Sequence, residues 1–421
     1  TPTAKTASFK FKVPGKYTQS NTYKVYYPGK NGNKDQVTIR AKQSQTEPNT
    51  TTHFGTSGDC GMADASWSNT KNGFAFSLDH KAAYLLFLPR NSNTILQNCY
   101  LTKVEVNSDN DITSTYTLDP VTGKLTGTGT GKQIVLTTKG SGTYANGFPL
   151  TNNSTSAATN GSYVVIKPGT HTLKIRYWVK DIATNVEGTI TKILSSATYD
   201  QNKYYNITAN LDVKNYDGNH YYMWDAQNQY WYGYEWTKNL GVGVGQPTLY
   251  TQPAGNYAQS NTDSRYYHEN SGSGRFDATQ SCATLPNVNE MTWYAKEGDP
   301  RWDADELWTT MGHLYKGGMW FKKKSVLQAE HHYDTEKSAD GSTDLRTTYK
   351  SYNNNSSSIK NSGLPSAADA GNYFYLPALG YYLSGRLEYA GHYGRYWSSS
   401  ARPWGSEYAY YLGFYRGNLS V

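Results

Sequence analysis

From the start of the chain to about residue 213, apolar and polar positions alternate in short runs, with Gly, Pro and Asn between them. A period of two is what a half-buried strand requires, because successive side chains leave opposite faces of the pleat. Within 172–179, Leu173, Ile175, Tyr177 and Val179 share one face. Similar runs predict strands at 7–13, 22–27, 36–41, 73–78, 83–88, 101–106, 133–138, 162–166, 188–193 and 204–213. Turn pairs such as Pro28-Gly29, Asn31-Gly32 and Pro168-Gly169 separate them. Many short strands joined by polar turns predict an all-β sandwich over residues 1–213.

From Lys214 the pattern changes. Aromatic residues become dense at 221–224 and 230–236, and a polar stretch at 255–274 predicts a long loop. A helix is expected at 287–295, with Val288, Met291, Trp293 and Tyr294 as its apolar members. A second is expected at 303–314, where Leu307, Met311 and Leu314 recur at three-to-four spacing. Trp293, Trp302, Trp308 and Trp320 surround these pieces and are assigned to core packing. The Asn- and Ser-rich segment 349–363 predicts a loop, and 373–379, 396–400 and 408–415 predict strands. Residues 214–421 are therefore expected to form an α+β domain.

Composition sharpens this. A chain of 421 residues exceeds one ordinary β domain, and 14% aromatic against 17% charged residues, with 39 Tyr, suits wet faces as much as dry cores. The net charge of +7 is modest, and the longest basic run, Lys322-Lys323-Lys324, reads as a solvated surface, so no nucleic-acid partner is expected. Cys60 and Cys99 could pair, leaving Cys282 alone, or all three could be separate buried thiols. No apolar run reaches membrane-spanning length. The chain opens Thr1-Pro2-Thr3 without Met, so it reads as a mature or trimmed form, with membrane contact expected only through a lipid anchor on a precursor.

The densest candidate chemistry lies in the tail. Tyr389, His392, Tyr393, Arg395, Arg402, Trp404, Tyr408, Tyr410, Tyr415 and Arg416 are the expected ligand-binding residues. Tyr, Trp and Arg offer large rigid contact area at low entropic cost. A tyrosine-rich core is the competing reading: Trp397, Leu412 and Phe414 assign part of 396–415 to the interior, but interleaved Gly, Arg, His and Ser suit a dry core badly.

Other clusters are weaker. Glu330-His331-His332-Tyr333-Asp334 holds metal-ligand types, but neighbouring histidines on a strand point to opposite faces, so no metal is expected. Asp299, Asp303, Asp305 and Glu306 could supply glycosidase carboxylates. Their place at an expected helix N-terminus favours capping, and no nucleophile elbow, zinc or phosphate-loop motif is present. No catalytic residue and no cofactor is therefore expected.

Two resemblances extend the reading. In the first half, Tyr23-Lys24-Val25-Tyr26-Tyr27-Pro28, Val37-Thr38-Ile39-Arg40, 76–83 and Pro168-Gly169-Thr170-His171-Thr172-Leu173, in that order, resemble the fimbrillin-like, type V pilus proteins of Bacteroidales. In the second, 282–291, Gly298-Asp299-Pro300-Arg301-Trp302-Asp303, Tyr396-Trp397-Ser398-Ser399-Ser400 and Ala409-Tyr410-Tyr411-Leu412 are similar to a C-type-lectin-like domain. The subtype is that of formylglycine-generating enzymes and retroelement variable proteins, which display ligand-binding residues on their last strands and loop. The pair of reactive cysteines that such an enzyme uses is not matched, since only Cys282 lies here. The triplet Glu47-Pro48-Asn49, a calcium-dependent sugar motif elsewhere, falls in the other half and is read as coincidence. The chain ends at Gly417-Asn418-Leu419-Ser420-Val421, shorter than that subtype, which leaves its last strand open.

The fold expected is thus an N-terminal all-β sandwich, fimbrillin-like, over 1–213, followed by an α+β C-type-lectin-like domain over 214–421. In the pilus family, proteolysis after an Arg empties a groove that a neighbour's strand fills. That resemblance makes Arg40, inside the expected 36–41 strand, the candidate processing site. A cell-surface tip or terminal subunit follows as the expectation, with a pilus stalk subunit donating a strand to the first domain. A host or bacterial surface glycan or protein is expected as ligand of the second. The alternative is a surface lipoprotein outside any pilus that captures glycans or host proteins; a glycoside hydrolase ranks below both.

Overall fold

The computed structural model describes residues 8–216, 218–235, 256–270, 272–330, 332–354, 359–405 and 407–421. Its framework is β-sheet, and the period-two segments are its spine. Along the Gly169–Asp181 strand every second residue is buried, and Leu173, Ile175, Tyr177 and Val179 are fully enclosed. This strand lies between Cys99–Ser108 and Glu187–Tyr199, antiparallel to both. A smaller sheet packs against this face: Ser162–Ile166 antiparallel and Tyr204–Asn210 parallel to Ala83–Arg90. Phe87 meets Tyr177 edge-on across the gap, ring centres 5.9 Å apart. Gln36–Ile39 pairs with Ser114–Leu118, and Val37, Ile39, Tyr116 and Leu118 feed the same core. Burial of so much aliphatic surface, at ~25 cal/mol per Å², is what holds the two sheets face to face.

Several expected strands depart from this. Ala7 lies outside the described residues, and 8–13 forms no strand: Phe9, Phe11 and Val13 alternate correctly but stand exposed. The strand expected at 36–41 stops at Ile39, which leaves Arg40 exposed between Gln36–Ile39 and Lys42–Ser44. Cys60, Cys99 and Cys282 are all buried free thiols.

The larger correction concerns 303–314, which is not helical. Arg301–Thr310 and His313–Lys322 form an antiparallel hairpin. Met311 and Gly312 turn it with φ of 49° and 79°, positive values that match the twist of a tight hairpin. The three-to-four spacing of Leu307, Met311 and Leu314 is real but not helical in origin. Leu307 and Leu314 reach the first core from facing strands, while Met311 enters a separate cluster with Trp231 and Trp308. Asp303 and Glu306 therefore cap nothing.

Instead they tie the halves of the chain together. Thr189 pairs with Glu306, so one mixed sheet runs from Lys42–Ser44 through the spine to Arg301–Thr310, His313–Lys322 and Tyr373–Pro377. Arg176 reaches Asp303 at 2.9 Å, and Glu306 accepts hydrogen bonds from Thr189 and from the Thr191 amide and hydroxyl.

The helix Val288–Glu297 follows its sequence signature. Asn287 and Glu290 form a reciprocal capping box, and Met291, Tyr294 and Ala295 pack with Phe321, Leu412 and Phe414. Over it lies the tail sheet: Tyr393–Ala401, Ala409–Tyr415 and Asn418–Ser420, closed by Asn353–Asn354. The last strand is present and paired on both sides. No helix among the described residues is long and apolar enough to cross a membrane.

Candidate binding site

The tail hairpin positions the expected residues, but in two groups and not one. Tyr393 pairs with Tyr415 near one end and Ala401 with Ala409 near the other. At ~3.3 Å per residue the ends are about 25 Å apart.

At the first end an aromatic ladder forms. Tyr389 stacks on Tyr381 with ring centres 5.8 Å apart, and Tyr393 stacks on Tyr415 at 5.6 Å. Tyr381 meets Tyr393 edge-on at 6.0 Å and carries the Arg395 guanidinium 3.9 Å above its centre. Arg395 also lies 5.1 Å from both Tyr393 and Tyr411, so its charge is spread over three rings. Beside this ladder opens a cavity of about 900 Å³. Its walls include Tyr389, His392, Tyr393, Tyr415 and Arg416 from the tail, Trp302 and Tyr315 from the 301–322 hairpin, and Val186 from the first half. That volume lies in the range of small-molecule sites. Burial raises the Tyr393 and Tyr381 phenols, with Arg395 opposing the rise in both, so each keeps its proton at neutral pH and can donate.

At the second end Arg402 lies 3.5 Å above Tyr349 and 5.3 Å from Tyr408. Trp404 is 71% exposed and Tyr408 59%. Tyr410 is the exception among the expected residues: it is only 6% exposed, clustered with Val288 and Leu345. The pleat explains the difference. Tyr410, Leu412 and Phe414 share the inner face, whereas Tyr408 precedes the strand and escapes that alternation.

Backbone conformation gives a second sign of function. Tyr389, about half exposed, and Trp404, largely exposed, sit at φ of 58° and 65°. Bulky side chains avoid this region, and such residues persist where surrounding structure over-determines them, at functional positions more than elsewhere. One such residue presents its ring at each end of the hairpin.

The other candidate clusters are accounted for by structure. Asp299 contacts Arg301, Lys360 and Tyr373; burial opposes its charge, yet those hydrogen bonds hold its carboxyl below the usual range. Asp303 and Glu306 are buried at the junction, and Asp305 pairs with Lys316. Lys322 and Lys324 are met by Glu330 and Glu290. His331 lies outside the described residues; His332 stands 3.7 Å from Glu330, and no group of metal-ligating side chains occurs among the described residues.

Sequence reasoning missed a second cavity, next to Tyr408. It is lined by Trp224, Tyr267, His268 and Trp397 together with Glu407 and Tyr408. Trp224 and His268 lie more than a hundred residues before the tail, and the density of aromatics at 221–224 was the only signal.

The arrangement is that of a β-rich protein whose tail presents an aromatic and Arg surface. No family model matches the chain, and no curated protein does. Among solved structures it is similar in part to one described as a "putative cell adhesion protein" from Bacteroides ovatus, at 14% identity and a TM-score of 0.27, covering 44% of this chain and 62% of that one. Similarly described proteins from Bacteroides uniformis and Bacteroides fragilis match at 17% and 11% identity, with TM-scores of 0.24 and 0.23. They cover 45% and 36% of this chain, and 67% and 60% of theirs. The chain thus spans less than two thirds of the first of these proteins. Likeness at this level carries no argument about function, which is read from the site's own geometry.

Proposed function

We propose that this chain is a cell-surface adhesin whose tail captures a glycan or protein ligand without transforming it. The observation that carries this is the 900 Å³ cavity walled by Tyr389, Tyr393, Tyr415, His392 and Arg416, with Arg395 stacked beside it. Flat aromatic faces suit sugar rings and aliphatic side chains alike, and the guanidinium supplies planar hydrogen bonding. The placement we propose is the tip or terminal subunit of a type V-like pilus, accepting a stalk subunit's strand in its first half.

The strand-accepting reading is supported by the surroundings of Arg40. It is exposed, and cutting after it would free Gln36–Ile39 from the chain that follows. Val37 and Ile39 fill the core from that strand, so its departure leaves an apolar slot beside Ser114–Leu118, which is what an incoming strand needs. Asn418–Ser420 is held in its own sheet on both sides and is not a free donor.

The test is a glycan and host-protein array probed with the full chain, because the sheet is continuous across the junction. The expected result is saturable capture that falls at least about tenfold in Tyr389→Ala combined with Tyr393→Ala. Capture unchanged by that pair, with the fold intact, would remove the cavity from the proposal. Turnover of any captured glycan would remove the non-catalytic reading.

A further inference from the structure

The second cavity is chemically unlike the first. It is small, about 190 Å³, room for roughly six waters at ~30 Å³ each, and so for a compact headgroup and not an oligosaccharide. Its walls include Trp224, Trp397, Tyr267, Tyr408 and His268 with Met223, and among the described residues no Lys, Arg, Asn or Gln lines it. Both indole N–H groups are already occupied: Trp224 donates to the Ser398 carbonyl at 2.9 Å and Trp397 to the Tyr222 carbonyl at 2.9 Å. The indoles therefore contribute ring surface and no free donor.

The charge in and around this cavity is negative. Glu407 lines it. Behind His268 lies Asp225, fully buried, accepting from the backbone amides of Thr279, Gln280 and Cys282. Asp225 also meets His268 Nδ1 at 2.8 Å. An ionised carboxylate can only accept, so the proton between the two groups sits on Nδ1. Tyr267 feels the same field: burial, then Tyr266, Glu269 and Glu407, push its phenol up to about 12. Arg402 does not line the cavity; its guanidinium lies 3.5 Å above Tyr349 and 5.3 Å from the centre of the Tyr408 ring.

We propose that this cavity binds an alkylated ammonium headgroup, a trimethylammonium cation above all. Each alternative class leaves something unpaired. A sugar would bring several hydroxyls to a wall with few partners, and a neutral apolar group would desolvate Glu407 with nothing opposite it. An anion would face Glu407 directly. A quaternary ammonium needs no hydrogen-bond acceptors, presents methyl groups to ring faces, and places its charge where aromatic quadrupoles and a carboxylate both favour it. This site is separate from the 900 Å³ cavity and goes beyond the adhesin reading.

The test is calorimetric titration of the full chain with tetramethylammonium and with choline, against 3,3-dimethylbutanol, choline's neutral isostere. Both cations are expected to bind saturably, and choline at least about tenfold more tightly than the isostere. Glu407→Gln and Tyr408→Ala, both exposed and so safe for the fold, are each expected to weaken choline by about five- to tenfold. Phosphocholine and trimethyl-lysine titrated alongside separate a lipid or polysaccharide headgroup from a modified protein; a preference for either supports the site and names the carrier. Equal affinity for the isostere, absence of saturable cation binding, or choline affinity unchanged in both variants would each overturn the proposal.

Discussion

Trp404 concentrates the site's physics in one residue. Its ring is 71% exposed and its backbone sits at φ 65°, which costs a bulky residue about 1–2 kcal/mol. Glycine is at home there and loses little burial, though it adds about 0.5–1 kcal/mol of unfolded-state entropy. Trp404→Gly is therefore expected to leave stability within about 1 kcal/mol of the native protein, by urea midpoint, or to raise it, while weakening ligand capture. A core residue would do the opposite. Trp404→Ala combined with Tyr408→Ala is likewise expected to abolish capture at the second end of the hairpin while near-UV circular dichroism stays native. Normal binding by the pair would exclude the Arg402–Tyr408 patch. Residue type alone made these positions legible, because Trp, Tyr and Arg among Gly and Ser do not suit a dry interior. Tyr410 shares the parity of Leu412 and Phe414 and is buried with them, so alternation points it inward where residue type alone points it to the ligand.

The element that matters most is the 301–310 strand, and it was the least legible. Its buried charges hid it: Asp303 and Glu306 read as caps of an expected helix, yet both lie inside a strand because Arg176, more than a hundred residues earlier in the sequence, meets them there. Such a partner cannot be inferred from local spacing, whereas the capped helix at 288–297 and the spine strand at 169–181 carry their signals within a dozen residues. Removing the cation while leaving both carboxylates is expected to be costly. Arg176→Met should lower stability by about 3–5 kcal/mol, read from the urea midpoint, since a buried unpaired charge remains. The same cluster sets a pH dependence. Burial and the neighbouring Asp303 push Glu306 from 4.5 up to about 7, against the pull of Arg176. The folded state then holds a proton that the unfolded chain releases, so this group's contribution to stability is full below about pH 4.5 and declines as pH rises toward 7. Glu306→Gln is expected to flatten that decline, seen as the difference between the two proteins' stability profiles over this range. Parallel profiles would mean that Glu306 is ionised throughout.

At the scale of the whole molecule the two proposed activities rest on different cores. Val37 and Ile39, which a cut after Arg40 would release, belong to the sandwich core, whereas Leu412 and Phe414 under the tail hairpin belong to another. Burying a Val or Ile side chain is worth about 1.5–3 kcal/mol, so the Gln36–Ile39 strand stays in its slot after cleavage until a comparably apolar strand replaces it. Cleavage alone should therefore leave the 1–40 piece bound, and adding a stalk subunit should release it. Two variants separate the functions. Arg40→Ala is expected to block that exchange, read as a gel-stable complex with the stalk subunit, while capturing ligand as well as the native chain does. Tyr389→Ala with Tyr393→Ala is expected to show the reverse: normal exchange and capture at least about tenfold weaker. Loss of both activities in either variant would mean that the continuous sheet through Thr189 and Glu306 transmits the disturbance, and the assignment of one task to each half would fall.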